Sequence, residues 1–194
     1  HLLEATDRLD IETDDILKES AEFLCARQLA DGTWPHRVWA TDGSIAPGWA
    51  NANVEHNEES PEYQGDQTAT VTSYLATLLR TRHSQLSDSL TVDIRDTIVE
   101  AVDALSRDVA DNGLPTECQN VWEDSVGQFA HTAAAYIEAF ATVARAPMTN
   151  QIKERCLHGA QRVMDGLEEL WDEEMEVYVM RLTDGEVDHR IDAA

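Results

Sequence analysis

Five segments of this sequence carry apolar residues at the spacing of an α-helix, and this pattern constrains the fold more than any other feature. The segments cover residues 13–28, 68–82, 93–109, 131–144 and 150–170. In the third segment, Ile94, Ile98 and Val102 recur every four positions, which places them on one face of a helix. Farther on, two short runs flank Asp184-Gly185, a pair typical of hairpin turns. We therefore predict an all-α fold of helical hairpins with a short β-hairpin near the C-terminus.

The links that connect the predicted helices alternate between long and short. They take about 40, 10, 20 and 5 residues in turn. Structureless loops longer than about 12–15 residues are usually functional or a sign that an element was wrongly assigned. If neighbouring helices run antiparallel, the first link, the third link and the segment after the fifth helix lie at the same end of the array. These links also contain every tryptophan of the chain: Trp34, Trp39, Trp49, Trp122 and Trp171.

The tryptophans of these links predict a sugar-binding face at one end of the array. The C–H faces of a sugar stack on aromatic rings, and its hydroxyl groups find hydrogen-bond partners in nearby carboxylates and amides. The alternative interpretation is that the indole rings only hold long loops against the core.

A candidate acid group lies in the polar loop before the fourth helix, at Trp122-Glu123-Asp124. An apolar ring and a neighbouring negative charge both raise the pKa of a carboxyl group. A carboxylic acid that stays protonated near neutral pH can donate its proton to a leaving oxygen. An exposed acidic loop that Trp122 anchors to the core is the alternative.

The chain is strongly acidic, since 38 Asp and Glu oppose 14 Lys and Arg for a net charge of -24. This charge repels nucleic acid and anionic membranes, so we expect neither as a partner. Only Lys18 and Lys153 are lysine. This composition is typical of a salt-accumulating halophile, in which salt screens the repulsion between carboxylates. We expect a cytoplasmic protein at high internal salt, and secretion stays open because the sequence begins at His1 rather than Met.

The sequence predicts no cofactor and no metal site. Its seven histidines and three cysteines lack the spacing of known metal-binding motifs, and it has no phosphate-binding or dinucleotide-binding fingerprint. The cysteines lie too far apart in sequence to suggest a disulfide framework. No apolar run approaches the roughly 20 residues that a membrane span needs.

Four blocks of the sequence, taken together, resemble one known family. They are DGTWPHRVWATDG (31–43), YQGDQTATV (63–71), GLPTECQNVWEDSVGQFAHTAAAY (113–136) and LWDEEMEVYVMRLTDGEVDHRIDAA (170–194). Their motifs and their order are similar to those of glycoside hydrolase family 15, the glucoamylase-like enzymes. The resemblance implies an (α/α)6 barrel of twelve helices. With five helices predicted, we expect residues 1–194 to form a single, partial segment of such a catalytic domain.

The resemblance implies a role for each matching residue. Glu123 would be the general acid, Trp122 a sugar-stacking wall and Asp124 a supporting, substrate-binding acid. Asn120 stands where the family often has Asp. The mouth of the pocket would be lined by Trp34, Trp39, Asp42 and Trp49.

The reaction implied by the resemblance is inverting hydrolysis of α-glucosidic bonds in α-glucans. One carboxylic acid protonates the glycosidic oxygen, while a second carboxylate activates water on the opposite face of the sugar. The block with the second carboxylate, and the Arg-Asp pair with which this family grips the terminal glucose, are not in this sequence. We therefore expect the general-acid half of the site, with little or no hydrolase activity in this chain alone.

Two other functions stay open. Residues 23–34, FLCARQLADGTW, contain the Q-x-x-D-G-x-W motif of terpenoid cyclases, which are also α/α toroids. The motif occurs once, no aspartate-rich cyclase segment is present, and that family predicts an apolar cavity at the tryptophan-rich end. A non-catalytic carbohydrate-binding or assembly module would keep the tryptophan-lined face without a working acid–base pair.

Overall fold

The computed structural model describes residues 11–46, 63–120 and 125–191, and this part of the chain is mostly helical. Its α-helices are α1 (Ile11–Arg27), α2 (Gly65–Arg82), α3 (Asp88–Asp108), α4 (Ala130–Arg145) and α5 (Asn150–Leu167). Each corresponds to one of the predicted segments, so the helical prediction is confirmed for the described residues. None of these helices is both long and apolar enough to pass through a membrane.

The largest difference from the prediction is at the start of α3, which begins at Asp88 rather than at residue 93. Ser87 caps this helix, because its hydroxyl oxygen accepts a hydrogen bond from the backbone N–H of Leu90 at 3.2 Å. Thr149 caps α5 in the same way, with the N–H of Ile152 as the donor. Both caps satisfy backbone donors that a helix leaves free in its first turn.

Six short strands are present in the described residues. They are β1 (Cys118–Gln119), β2 (Val126–Phe129), β3 (Trp171–Asp172), β4 (Val177–Tyr178), β5 (Arg181–Thr183) and β6 (Glu186–Asp188). One antiparallel sheet has the order β1-β2-β5-β6, and β3 pairs with β4. The predicted C-terminal hairpin is confirmed as β5–β6. Its turn residues Asp184 and Gly185 have φ angles of 52° and 77°, the left-handed conformation that Asp-Gly adopts in tight hairpins.

The hairpins α2–α3 and α4–α5 pack side by side through α2 and α4, while α3 packs against α1 and α5. The rings of Tyr136 and Phe140 meet edge to face in the core, with 6.4 Å between their centroids. Gly159 lets α5 approach α4 at this point, since a Cβ there would lie 2.9 Å from the Phe140 ring. Other fully buried side chains are Leu75, Leu79, Ile94, Ile98, Leu105 and Val143.

Three links meet at one end of the helices, as the alternation of link lengths predicts. The backbone N–H of Gln119 donates to the carbonyl of Tyr63 at 3.2 Å, which joins the link before α4 to the link before α2. The N–H of Ala130 donates to the carbonyl of Met180 at 3.1 Å, which joins the start of α4 to the segment after α5. We call this end, where α2 and α4 begin and α3 and α5 end, the loop end.

Candidate functional site

Some predicted site residues lie outside the described part of the chain: Trp49, Trp122, Glu123 and Asp124. The residues on both sides of 121–124 are described. The backbone N–H of Asn120 donates to the carbonyl of Ser125 at 3.1 Å, and the adjoining strands β1 and β2 pair with Gln119 opposite Val126. The structure therefore places the two neighbours of the acid-bearing segment side by side at the loop end.

Asn120 is buried and connects the acid-bearing link to α2. Its backbone carbonyl accepts a hydrogen bond from Nε2 of Gln64 at 2.9 Å. Gln64 is also buried, lies directly before α2, and accepts a hydrogen bond at its Oε1 from Nε2 of Gln67 at 3.2 Å. The predicted site residue Asn120 is thus held in place by a side chain that comes from a different link.

A partly buried carboxylate, Asp108, fixes the same region from the end of α3. Asp108 accepts hydrogen bonds from the hydroxyl groups of Tyr63, Tyr136 and Thr116, and the two tyrosine oxygens lie 3.0 Å apart. Burial raises the pKa of Asp108 and of both tyrosines, because each charged form loses its hydration in the interior. This network joins α3 and α4 to the links before α2 and β1.

Trp34 and Trp39 share the link after α1 but differ in their surroundings. Trp34 is 6% exposed, packs in the hydrophobic core, and donates from its indole N–H to the carbonyl of Leu24 at 2.8 Å. Its backbone N–H lies 3.3 Å from the hydroxyl oxygen of Thr68, near the start of α2. Trp39 is 55% exposed. Trp34 therefore holds the link against the core, whereas Trp39 is largely open to solvent.

Asp42 stabilises the compact loop that carries Trp39. Its Oδ1 accepts hydrogen bonds from the hydroxyl and the backbone N–H of Ser44, at 2.7 and 2.9 Å, and these bonds lower the pKa of Asp42. The N–H of Trp39 donates to the carbonyl of Ser44 at 2.8 Å. Arg27 donates to the carbonyl of Gly43 at 3.1 Å, which connects this loop to the end of α1.

Two more polar side chains lie at the loop end, Asp66 and His131, and the sequence prediction gave them no role. Asp66 is in the first turn of α2 and His131 in the first turn of α4, with 3.7 Å between Oδ2 of Asp66 and Nε2 of His131. The signal for Asp66 was its place in the block YQGDQTATV. His131 likewise lies in the block 113–136, but the sequence could not pair it with Asp66, because the two residues belong to different helices.

The loop end combines carboxylate, amide, imidazole and hydroxyl groups, which can bind a neutral polar ligand through hydrogen bonds. Among the described residues, no cluster of three or more His, Cys, Asp or Glu side chains is placed to hold a metal ion. No protein-family model matches the chain, and no curated protein matches it. The functional argument therefore depends on the residues and on their arrangement.

Proposed function

We propose that this chain is part of an (α/α)6 barrel of the glucoamylase type and binds α-glucans at its loop end. The observation that carries the proposal is the meeting of the four resembling blocks at that end. The contact between Trp34 and Thr68 joins the first block to the second. The hydrogen bond from Gln64 to Asn120 joins the second to the third, and the one donated by Ala130 joins the third to the fourth.

The arrangement of the helices supports the same proposal. In an α/α toroid, successive hairpins pack side by side, with one helix of each pair on the inside. Here α2 and α4 pack against each other, and α3 packs against α1 and α5. In the proposed barrel, α2 and α4 are inner helices, and both begin at the loop end.

In the proposed mechanism, Glu123 donates its proton to the glycosidic oxygen as the bond to the anomeric carbon breaks. A second carboxylate, outside this sequence, takes a proton from the water that attacks the opposite face, so the configuration inverts. Trp122 and Trp39 stack on sugar rings, and Asp124 and Asn120 bind sugar hydroxyls. This chain supplies the acid and the binding surface, and we expect little or no hydrolysis from it alone.

Isothermal titration of the chain with maltoheptaose in molar KCl tests the binding function. We expect saturable binding, no binding of the β-linked cellohexaose, and at least about tenfold weaker binding in Trp122→Ala, because stacked aromatic rings supply much of the binding energy of such sites. Failure of the chain to bind maltoheptaose would contradict the proposal. Glu123→Gln should retain binding, since it keeps the shape of the side chain.

The catalytic role is tested in the protein that also contains the second carboxylate. There, Glu123→Gln should lower the rate of glucose release by orders of magnitude, because the general acid is removed. If the Glu123→Gln variant hydrolysed the glucan near the wild-type rate, Glu123 would not be the general acid. Binding without hydrolysis in that protein would favour the non-catalytic module.

The cyclase interpretation receives less support, because its motif serves as a helix stop here. Nε2 of Gln28 donates to the carbonyls of Gly32 and Thr97, at 3.0 and 2.9 Å. Gly32 has a φ angle of 90°, and Oδ1 of Asp31 accepts from the backbone N–H of Thr33 at 2.9 Å. These bonds end α1 and attach it to α3.

A further inference from the structure

Asp66 has a buried carboxylate oxygen with no hydrogen-bond partner. The residue is 6% exposed. Its Oδ2 lies 3.7 Å from Nε2 of His131, while its Oδ1 accepts no hydrogen bond. The carboxylate thus points from the first turn of α2 toward the first turn of α4. Because a buried acceptor without a donor costs free energy, this oxygen is a strong acceptor for a ligand that can donate.

The two helices beside this carboxylate begin without capping side chains. Gln64 precedes α2 and Phe129 precedes α4, and neither side chain caps its helix. By contrast, Ser87 and Thr149 cap α3 and α5 at the opposite end of the array. Backbone N–H groups of an uncapped first turn can donate to a ligand. Two of these N–H groups donate within the protein, since Ala130 donates to Met180 and Gln67 donates to Gln64. The region between the two first turns combines a buried acceptor with the remaining backbone donors of these turns.

This combination favours a neutral ligand that has hydroxyl groups. Asp66 and the net charge of -24 repel an anion such as phosphate. The positive ends of two helix dipoles disfavour a cation. A hydroxyl group both donates and accepts. A single hydroxyl group between the first turns of α2 and α4 can therefore donate to Asp66 and accept from a backbone N–H.

We propose that Asp66 is a sugar-binding residue of the loop end, where its Oδ1 accepts a hydrogen bond from a hydroxyl group of the glucan and His131 lies beside the bound ring. The inference rests on the proposed function, because that function supplies the neutral polyhydroxy ligand. It adds a binding position that comes from α2 and α4 rather than from the acid-bearing loop.

The test compares Asp66→Asn and Asp66→Ala with the wild-type chain, by titration with maltoheptaose and by thermal unfolding. Both variants should bind at least about tenfold more weakly, because a hydrogen bond to a charged acceptor is lost. Their melting temperatures should stay close to the wild-type value, because the cost of the unpaired buried oxygen offsets what the carboxylate gains from the positive ends of α2 and α4. Glu154→Gln, on the exposed surface of α5, is the control and should change neither property.

Three outcomes would overturn the assignment, and they differ from one another. Unchanged affinity in both variants would exclude Asp66 from the site and leave glucan binding intact. A fall of affinity in step with a fall of melting temperature would make Asp66 a structural residue. Absence of binding by the wild-type chain would contradict the proposed function itself, and the role of Asp66 would be rejected with it.

Discussion

Asp108 lies at the end of α3, where three hydroxyl groups donate to its carboxylate. Loss of hydration raises the pKa of this carboxyl group, and the hydrogen bonds act in the opposite direction. The ionised form therefore depends on its donors. One of them, Tyr63, also accepts a hydrogen bond at its backbone carbonyl from Gln119, so the network affects the position of the acid-bearing link.

Tyr136→Phe should destabilise the chain by about 1–3 kcal/mol at neutral pH, because the partly buried carboxylate of Asp108 loses one of its donors. Tyr136 is fully buried, and its ring contact with Phe140 is kept in the variant. Tyr178→Phe is the matched control, since Tyr178 is exposed, and it should change the free energy of unfolding by less than about 0.5 kcal/mol. Denaturant unfolding measures both, and equal effects would contradict the role of the network.

The cost of Tyr136→Phe should also depend on pH. A carboxyl group whose pKa rises on folding contributes most to the stability of the folded state below its unfolded pKa of about 3.9. That contribution to the free energy of unfolding is lost as the pH rises through the pKa of the folded state. Removal of the Tyr136 hydroxyl raises the pKa of Asp108 further. The destabilisation should therefore be larger at pH 7 than near pH 4, and the same difference at both pH values would argue against an ionised Asp108.

The sequence could predict which links meet at one end of the helices, but not what each side chain contacts. Trp34 and Trp39 have the same residue type and lie in one link, yet the first packs in the core and the second is exposed. Asp66 lies in the block YQGDQTATV. The surroundings of its carboxylate, with one unpaired oxygen and His131 nearby, depend on where α4 packs. Contacts of this kind join side chains from different elements, and apolar spacing along one segment carries no information about them.

At the scale of elements, local patterns predicted the helices and the β5–β6 turn well. The strands β1 and β2 were missed because two to four residues show too little alternation to be recognised. In addition, the N–H of Gln119 in β1 donates to the carbonyl of Tyr63, which is distant in sequence. Ser87 was a local signal for the earlier start of α3, and the prediction did not use it.

The crossing between α5 and the loop after α3 requires two glycines. Gly113 has a φ angle of 88°, and a Cβ on Gly166 would lie 2.5 Å from the backbone carbon of Gly113. Gly166→Ala should therefore destabilise the chain by about 1–3 kcal/mol, because backbone atoms must move apart. His158→Ala, on the exposed side of the same helix, should stay within about 0.5 kcal/mol of wild type. Equal stability of the two variants in denaturant would show that the crossing relaxes freely.

At the scale of the whole molecule, the alternation of link lengths had the greatest predictive value. It placed three links at one end, and the contacts of Tyr63, Gln119, Ala130 and Met180 confirm this for the described residues. The closure of a full ring of helices stays a proposal. It depends on helices beyond the five that this part of the chain contains.

Salt should stabilise the folded chain, because 38 acidic side chains share the molecule with 14 basic ones and most carboxylates have no cation available. The range of their repulsion falls from about 10 Å in 0.1 M salt to about 3 Å in 1 M salt. We expect the melting temperature to rise with KCl over this interval. Sucrose at equal osmolality is the control, since it is excluded from protein surfaces without screening charge, and its effect should be smaller. A flat response to KCl would contradict the halophilic interpretation, and an equal rise in sucrose would assign the stabilisation to exclusion rather than to screening.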